Sequence, residues 1–474
     1  MTYAASIWFQ PMFHAGSPST VRGSKGIAAT MTQVQRSAAL AITGAMRTSP
    51  TDSTEAHANL YPVPILMQRI LFNSTLRLTS LPSQHPLQPI VRRAAKRNVK
   101  RHKTALHHLV HGLAIKPCKT ITISSHTVHP TALTPFLTQI AASKEDAISD
   151  FARCQTRTMI FTDGSCCDGK VGAAAALFIN HVHVETLRYH LGKSMEHGIR
   201  SRSGRTHFSS PTAPQKRRSL IATIVADNQA VICLSAKPSA KPGHYLLIRF
   251  RKLIRHVLAQ NNTSSSEISL NWIAGHADIL GNELADKEAG RAADSADNSS
   301  PRHALPSSLH KDLPSSLSAI KQHHEAGLQS LWTGMWRKSP CHDHINSIDP
   351  STPSRSFMKL TKNLDKKHMA IYTQLRTGHI PLNKHLHCFK SSETPLCFQC
   401  DNNCPETIHH FLFNGPKYVR ERHVLRIKLG RKALSTRDLL ASKHAQQALF
   451  KFINDMPRLK ATFRDIPTPP KDPV

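Results

Sequence analysis

Acidic side chains are scarce in this chain of 474 residues: Asp and Glu number 30 against 62 Lys and Arg, a net charge of +32 before any of the 31 histidines protonates. Such an excess repels itself in a compact state and points to a polyanionic partner. No run of about 18 apolar residues occurs, which excludes a spanning helix. The start, MTYAASIWFQPMFHAG, has no basic segment leading into an apolar one, which argues against a secretory signal and for an intracellular protein. Aromatic residues make up 6% and prolines number 30, so part of the chain is expected to pack loosely. The length suggests about three domains.

The ten cysteines form no disulfide framework. Only the group around Cys397, Cys400 and Cys404 is spaced like metal ligands; Cys118, Cys154, Cys166, Cys167, Cys233 and Cys341 have no partner spacing. No carboxylate occurs between Glu55 and Glu145, and this span holds IVRRAAKRNVKRHK with Arg92, Arg93, Lys96, Arg97, Lys100 and Arg101. At helical spacing these make two basic faces without acidic partners, suited to phosphate contact or, more plainly, to a solvated basic helix.

The pattern divides the chain. Residues 1–150 read as helical and basic, with helices at 29–48 and 55–83 broken by Gly44 and by the Ser-Pro at 49–50. Residues 151–293 alternate in a way that predicts an α/β domain. Residues 294–318, rich in Ser, Pro and Asp, read as a linker, and residues 319–474 as a second basic region. No tandem repeat is present.

The chemistry lies in the α/β part. RTMIFTDGS predicts a strand ending in Asp163-Gly164-Ser165, and VGAAAALFIN and HVHVETLRYHLG two neighbouring strands. TIVADNQAVICLSA predicts a short strand ending in Asp227 and then a helix; HYLLIRFRKLIRHVLAQ an amphipathic helix with a basic outer face. EISLNWIAGHA predicts a strand leading to a Gly-His turn, and ILGNELADKEAGRAA a helix carrying Asp286 in its second turn. Carboxylates from two strand ends and a closing helix, if they converge, need a hard cation between them, Mg²⁺ or Mn²⁺. Two such ions serve phosphodiester cleavage, and a nearby His276 is suited to carry a proton to the leaving group.

FTDGS, ADNQAV and NWIAGHADILGNELADKEA resemble the successive motifs of type 1 ribonuclease H domains, most closely those appended to reverse transcriptases of fungal non-LTR retrotransposons. The resemblance implies a ribonuclease H-like mixed five-stranded sheet with flanking helices, and hydrolysis of the RNA strand of an RNA–DNA hybrid. It assigns metal binding to Asp163, Asp227 and Asp286 and the loop histidine to His276, with Gly164 and Ser165 as nucleic-acid contacts. A nuclear compartment is implied on the same ground. One family acid, a Glu on the first helix, has no counterpart. From His197 to Ala226 there is no Asp or Glu, and the pattern breaks at about 198–222 between two matching flanks; Glu196 is the nearest acid.

Residues 1–150 resemble the segment that joins polymerase to ribonuclease H in the same elements, and no polymerase motif with paired aspartates occurs. The chain therefore reads as the C-terminal part of a longer frame, with Met1 an internal methionine. HCFKSSETPLCFQCDNNCPETIHHFLFNGPKY resembles the zinc-knuckle-like module that follows. Cys397 and Cys400 form a Cys-x-x-Cys half-site for Zn²⁺, with His410 (His409 competing) as third ligand. The position of the family's fourth ligand is Gly415, leaving Cys404 as the substitute. The alternatives to an enzyme are a non-catalytic basic nucleic-acid-binding protein and a decayed retrotransposon fragment.

Overall fold

A computed structural model of the chain describes residues 2–13, 23–97, 99, 101–122, 134–193, 221–236, 244–262, 264–275, 277–310, 313–400, 403–467 and 469. Lys100, Glu196, His276 and residues 198–220 of the interrupted segment lie outside them.

Six strands form one mixed sheet, in the order β1-β6-β5-β2-β3-β4. Leu137–Gln139 is β1, Thr158–Cys167 β2, Lys170–Ile179 β3, Val182–Lys193 β4, Ala222–Ala226 β5 and Ile268–Trp272 β6. β2, β3 and β4 are an antiparallel meander; β1, β6, β5 and β2 run parallel. Asp168-Gly169 closes the first hairpin and Asn180-His181 the second, all four residues at positive φ. Two-residue turns of this hand match the twist of the strands they join, and Asp, Asn and Gly reach them at least cost. The sixth strand corrects the expected five. β1 is three exposed residues laid on the open edge of β6, too short to announce itself by alternation.

Helices cover both faces of the sheet. We label Lys144–Arg153 α1, Gln229–Ala236 α2, His244–Asn261 α3 and Leu280–Asp294 α4. Ser143 caps α1 by accepting from the Asp146 N–H. On one face Leu246, Phe250, Ile254 and Leu258 of α3 pack on Ile160, Ala175, Ile224 and Leu270. Leu305, Leu309 and Leu313 join the same core. On the other face α4 lies over β2, β3 and β4, and its Ala285 joins Met159, Phe161, Phe178, Val225 and Ile273 in one core. That helix comes close because its contact stripe is small: Ala285, Ala289, Ala292 and Ala293 are wholly buried. A Cβ on Gly172 of β3 would lie 2.2 Å from the Ala289 carbonyl oxygen, so glycine is required there.

The chain divides into two compact units: the sheet belongs to the unit of residues 6–8 and 71–326, and the other comprises residues 1–5, 9–70 and 327–474. The second unit is helical. Lys25–Thr43 ends at Gly44, φ +66, as its pattern predicts. The single helix expected at 55–83 is two, Thr51–Ala58 and Val63–Thr79. Asn59 turns left-handed at φ 51, and Pro62 then supplies no N–H to carry a helix through. Its C-terminal core gathers Ile371, Tyr372, Leu375, Leu439, Leu449 and Phe450. Within it Arg376 is fully buried, with its charge met by Asp349 at 2.8 Å and its Nε donating to His57 at 3.1 Å.

Candidate functional site

β2 and β5 pair in parallel from Thr158↔Ala222 to Thr162↔Ala226, and each continues into an aspartate. Asp163 and Asp227 are therefore neighbours one step past the last pair. Alternation places them on the face of Phe161 and Val225, the face that α4 covers. β2 runs two residues past the Asp163-Gly164-Ser165 end that the pattern predicts: pairing with β5 stops at Thr162, while pairing with β3 runs on to Cys167. Asp163 is 4% exposed, and its Oδ1 accepts from the Gly164 N–H at 2.7 Å. The end of β6 holds Asp227 in place. Trp272 Nε1 donates to the Asp227 carbonyl at 3.0 Å and the Ile273 N–H to the Ala226 carbonyl at 3.1 Å. Gly275 then passes so near that a Cβ on it would sit 3.4 Å from Asp227 Oδ2.

α4 runs over β2 from Phe161, which meets Gly281, to Ser165, whose Oγ lies 4.0 Å from where a Cβ on Gly290 would be. Asp163 lies between these points along β2, and Asp286 between them along α4. Asp286 follows the buried Ala285 and is exposed, at the margin of the contact. Among the described residues, the group that brings its ligand atoms within 4.8 Å of one another is Cys397, Cys400 and His410; Asp163, Asp227 and Asp286 make no such group. Gly164 is buried and Ser165 half-buried beside Asp163.

A buried acid on α4 escaped the sequence reading. Glu288 accepts from Arg188 of β4 and from Arg291, each at 2.7 Å, and so pins the helix to the meander. Its one sequence signal is the Glu-Arg spacing of three.

Of the basic run, Arg92, Arg93 and Lys96 are exposed on a helix Gln88–Lys96 that buries Gln88, Val91 and Ala94. The two continuous basic faces expected through residue 101 are not formed. Arg97 is already extended, φ −103 and ψ 110, because the apolar positions that hold the helix down end at Ala94. Arg97 and Arg101 are exposed beyond it.

The Cys-x-x-Cys segment is closed by a bridge between Leu396 and Pro405 and by the Cys397 N–H donating to the Cys404 carbonyl at 2.9 Å. The Gln399 N–H reaches Cys397 Sγ at 3.4 Å. His410 opens a π-helical turn, His410–Asn414, and presents Nε2 3.7 Å from Cys400 Sγ. Sulfur and nitrogen bound to one tetrahedral zinc at about 2.3 and about 2.1 Å lie about 3.6 Å apart, so the donors fit that ion. Burial pushes the Cys397 thiol up and the His410 imidazole down. His409 is exposed and faces Asn414, and Cys404 stands outside the three-residue group.

No family's sequence profile and no curated protein sequence matches the chain. Among solved structures, it is similar to the N-terminal RNase H domain of a Mycobacterium tuberculosis protein, solved as a fusion with maltose-binding protein. Identity is 15% and the TM-score 0.21, and the match covers 30% of this chain and 97% of that one. Among the described residues no helix is long and apolar enough to cross a membrane.

Proposed function

We propose that the sheet-bearing unit binds RNA–DNA hybrids and hydrolyses their RNA strand, as a retroelement-derived ribonuclease H-like enzyme. The observation that carries this reading is the placing of Asp163 and Asp227 side by side on one sheet face at the end of a parallel pair. The TDGS motif and the Trp272 and Gly275 of the Trp-x-x-Gly-His motif meet at that same place.

Two adjacent carboxylates are hard oxygen donors and fit Mg²⁺ or Mn²⁺; Asp163 and Asp227 would hold it, with Asp286 the third ligand from α4. Bound there, the ion supplies an activated water and charge neutralisation at the scissile phosphate. The chain's residues do the rest. The Gly164 N–H orients Asp163, Trp272 fixes the backbone of Asp227, and His276 carries a proton to the leaving group. Ser165 and the Gly164 backbone touch the strand, and Arg92, Arg93, Lys96, Arg97, Lys100 and Arg101 bind phosphates. In the C-terminal region Cys397, Cys400 and His410 hold Zn²⁺. A nuclear site of action follows from the retroelement reading.

A second reading, a non-catalytic hybrid-binding module, is favoured by the exposed position of Asp286 outside any three-residue ligand group. Full-length protein, labelled hybrid and Mg²⁺ or Mn²⁺, beside an Asp163→Asn control, separate the two. Cleavage that disappears in the control supports the enzyme. Hybrid binding by both proteins with cleavage by neither sinks the enzyme and leaves the module.

A further inference from the structure

Among the described residues the Cys/His cluster offers three ligands and has an open side. The pocket it lines is bounded there by Gly415 and Tyr418. A Cβ on Gly415 would lie 3.1 Å from His410 Nε2, so position 415 looks directly at the ligand atom and offers nothing to it. Tyr418 is 6% exposed, yet its hydroxyl has no hydrogen-bond partner among the described residues. A buried hydroxyl left in this way costs about 1–3 kcal/mol unless something else in the pocket accepts its proton. Glu406 does not accept it: its oxygens accept from Arg458, at 2.6 and 2.7 Å, and Oε2 also from the Asn383 N–H.

We propose that the cluster is a three-ligand zinc site whose fourth position is exchangeable, and that Tyr418 donates a hydrogen bond to the small oxygen- or sulfur-donor ligand that occupies it, water at rest. This rests on zinc binding by Cys397, Cys400 and His410. It adds that Gly415 makes the site a binding site rather than a closed structural one, since closed zinc sites supply four protein ligands and open ones three. The backbone does not demand glycine at 415, where φ is −59. The opening is therefore a property of the missing side chain.

Cobalt reports on each part separately. Full-length protein titrated anaerobically with Co²⁺ is expected to take one equivalent, with visible bands of a tetrahedral ion and sulfur-to-cobalt absorption of two thiolates. Added 2-mercaptoethanol is expected to shift the visible bands and to raise the sulfur absorption by about half, as two thiolates become three. In Tyr418→Phe the cobalt is still bound, but the affinity for the added thiol falls about tenfold, the worth of one hydrogen bond to a charged acceptor. In Gly415→Cys three thiolates are present from the start and added thiol changes nothing; the His410 ring and carbonyl must each give by a few tenths of an ångström to admit the new side chain.

Absence of a cobalt spectrum overturns the zinc reading and this proposal with it. A wild-type spectrum of three thiolates that becomes two in Cys404→Ala keeps the zinc and overturns the open position, as does indifference to added thiol. Equal thiol affinity in wild type and Tyr418→Phe removes the role of Tyr418.

Discussion

The indole N–H of Trp272 donates to the backbone carbonyl of Asp227 across 3.0 Å, from the last residue of β6 to the residue just past β5. The side chain that opens the Trp-x-x-Gly-His turn thus holds the strand end that carries one of the two adjacent carboxylates. Trp272→Phe removes the bond and keeps most of the ring's packing. It is expected to cost about 1 kcal/mol in urea unfolding and, if the unit cleaves hybrids as proposed, to lower single-turnover cleavage more than hybrid affinity. Equal losses in both would show that the tryptophan serves stability alone.

Gly172 and Gly275 are expected to separate fold from chemistry. Gly172→Ala drives a methyl into the Ala289 carbonyl and the Ala293 nitrogen, at 2.2 and 2.3 Å, so α4 must lift from β3. A loss of about 3 kcal/mol is expected in denaturant unfolding. Gly275→Ala makes an ordinary 3.4 Å contact with Asp227 Oδ2 and is expected to leave stability within about 0.5 kcal/mol while, under the proposed function, cleavage falls. A stable Gly172→Ala protein would refute the tight approach of α4.

Two buried groups in the helical unit pull stability in opposite directions with pH. Burial pushes the Glu55 carboxyl up to about 7, against the hydrogen bond from Gln35 at 2.8 Å. Its folded value lies above its unfolded one, so its contribution is full below about pH 4.5 and is lost as pH rises through 7. Glu55→Gln is therefore expected to gain up to about 3 kcal/mol over wild type at pH 8 relative to pH 4. Unfolding curves at the two pH values that shift in parallel would contradict it.

His57 has the opposite sign. Burial, and then the Arg376 charge, push its imidazole down to about 3. The unfolded chain takes up a proton below about 6.5 and the folded chain does not, so stability falls from pH 6.5 toward 3. His57→Gln is expected to flatten that acid limb by up to about 1.4 kcal/mol per pH unit. An unchanged limb would mean that the histidine charges in place.

Arg92, Arg93 and Lys96 project from one short helix into solvent. If they meet phosphates, replacing all three by Gln should reduce the slope of log affinity against log salt for a hybrid by about 2–3. The loss should be the same for every hybrid sequence. A slope that does not move would leave them as a solvated surface.

The three neighbouring strands of the meander were legible from their β-rich runs, while the turns at Asp168-Gly169 and Asn180-His181 were not marked off from those runs and emerge from the pairing. β1 was not legible, since three residues have no period of their own and their pairing exists only once β6 does. Asp163 and Asp227 were legible as acids after apolar runs. That they stand one step past a shared last pair is a matter of register, which no single strand contains. The basic helix was overread because charge repeats at helical spacing say nothing about where apolar contacts stop. Cys397 and Cys400 declared themselves by spacing, and the resemblance named His410 with His409 as its competitor; the fold brings His410 to the two thiols, and Tyr418 gave no signal before its pocket was seen.

The two tight turns of the meander have a consequence in time. Contacts among β2, β3 and β4 close over short stretches of chain, whereas β5 and β6 must return to the sheet across long connections. Local contacts form first because they close the smallest loops. In pulse-labelled exchange, amides of residues 158–193 are expected to gain protection before those of 222–226 and 268–272, and simultaneous protection would count against this order. The pair of carboxylates is then assembled in sequence: Asp163 stands ready on a folded ribbon, and the arrival of β5 brings Asp227 beside it.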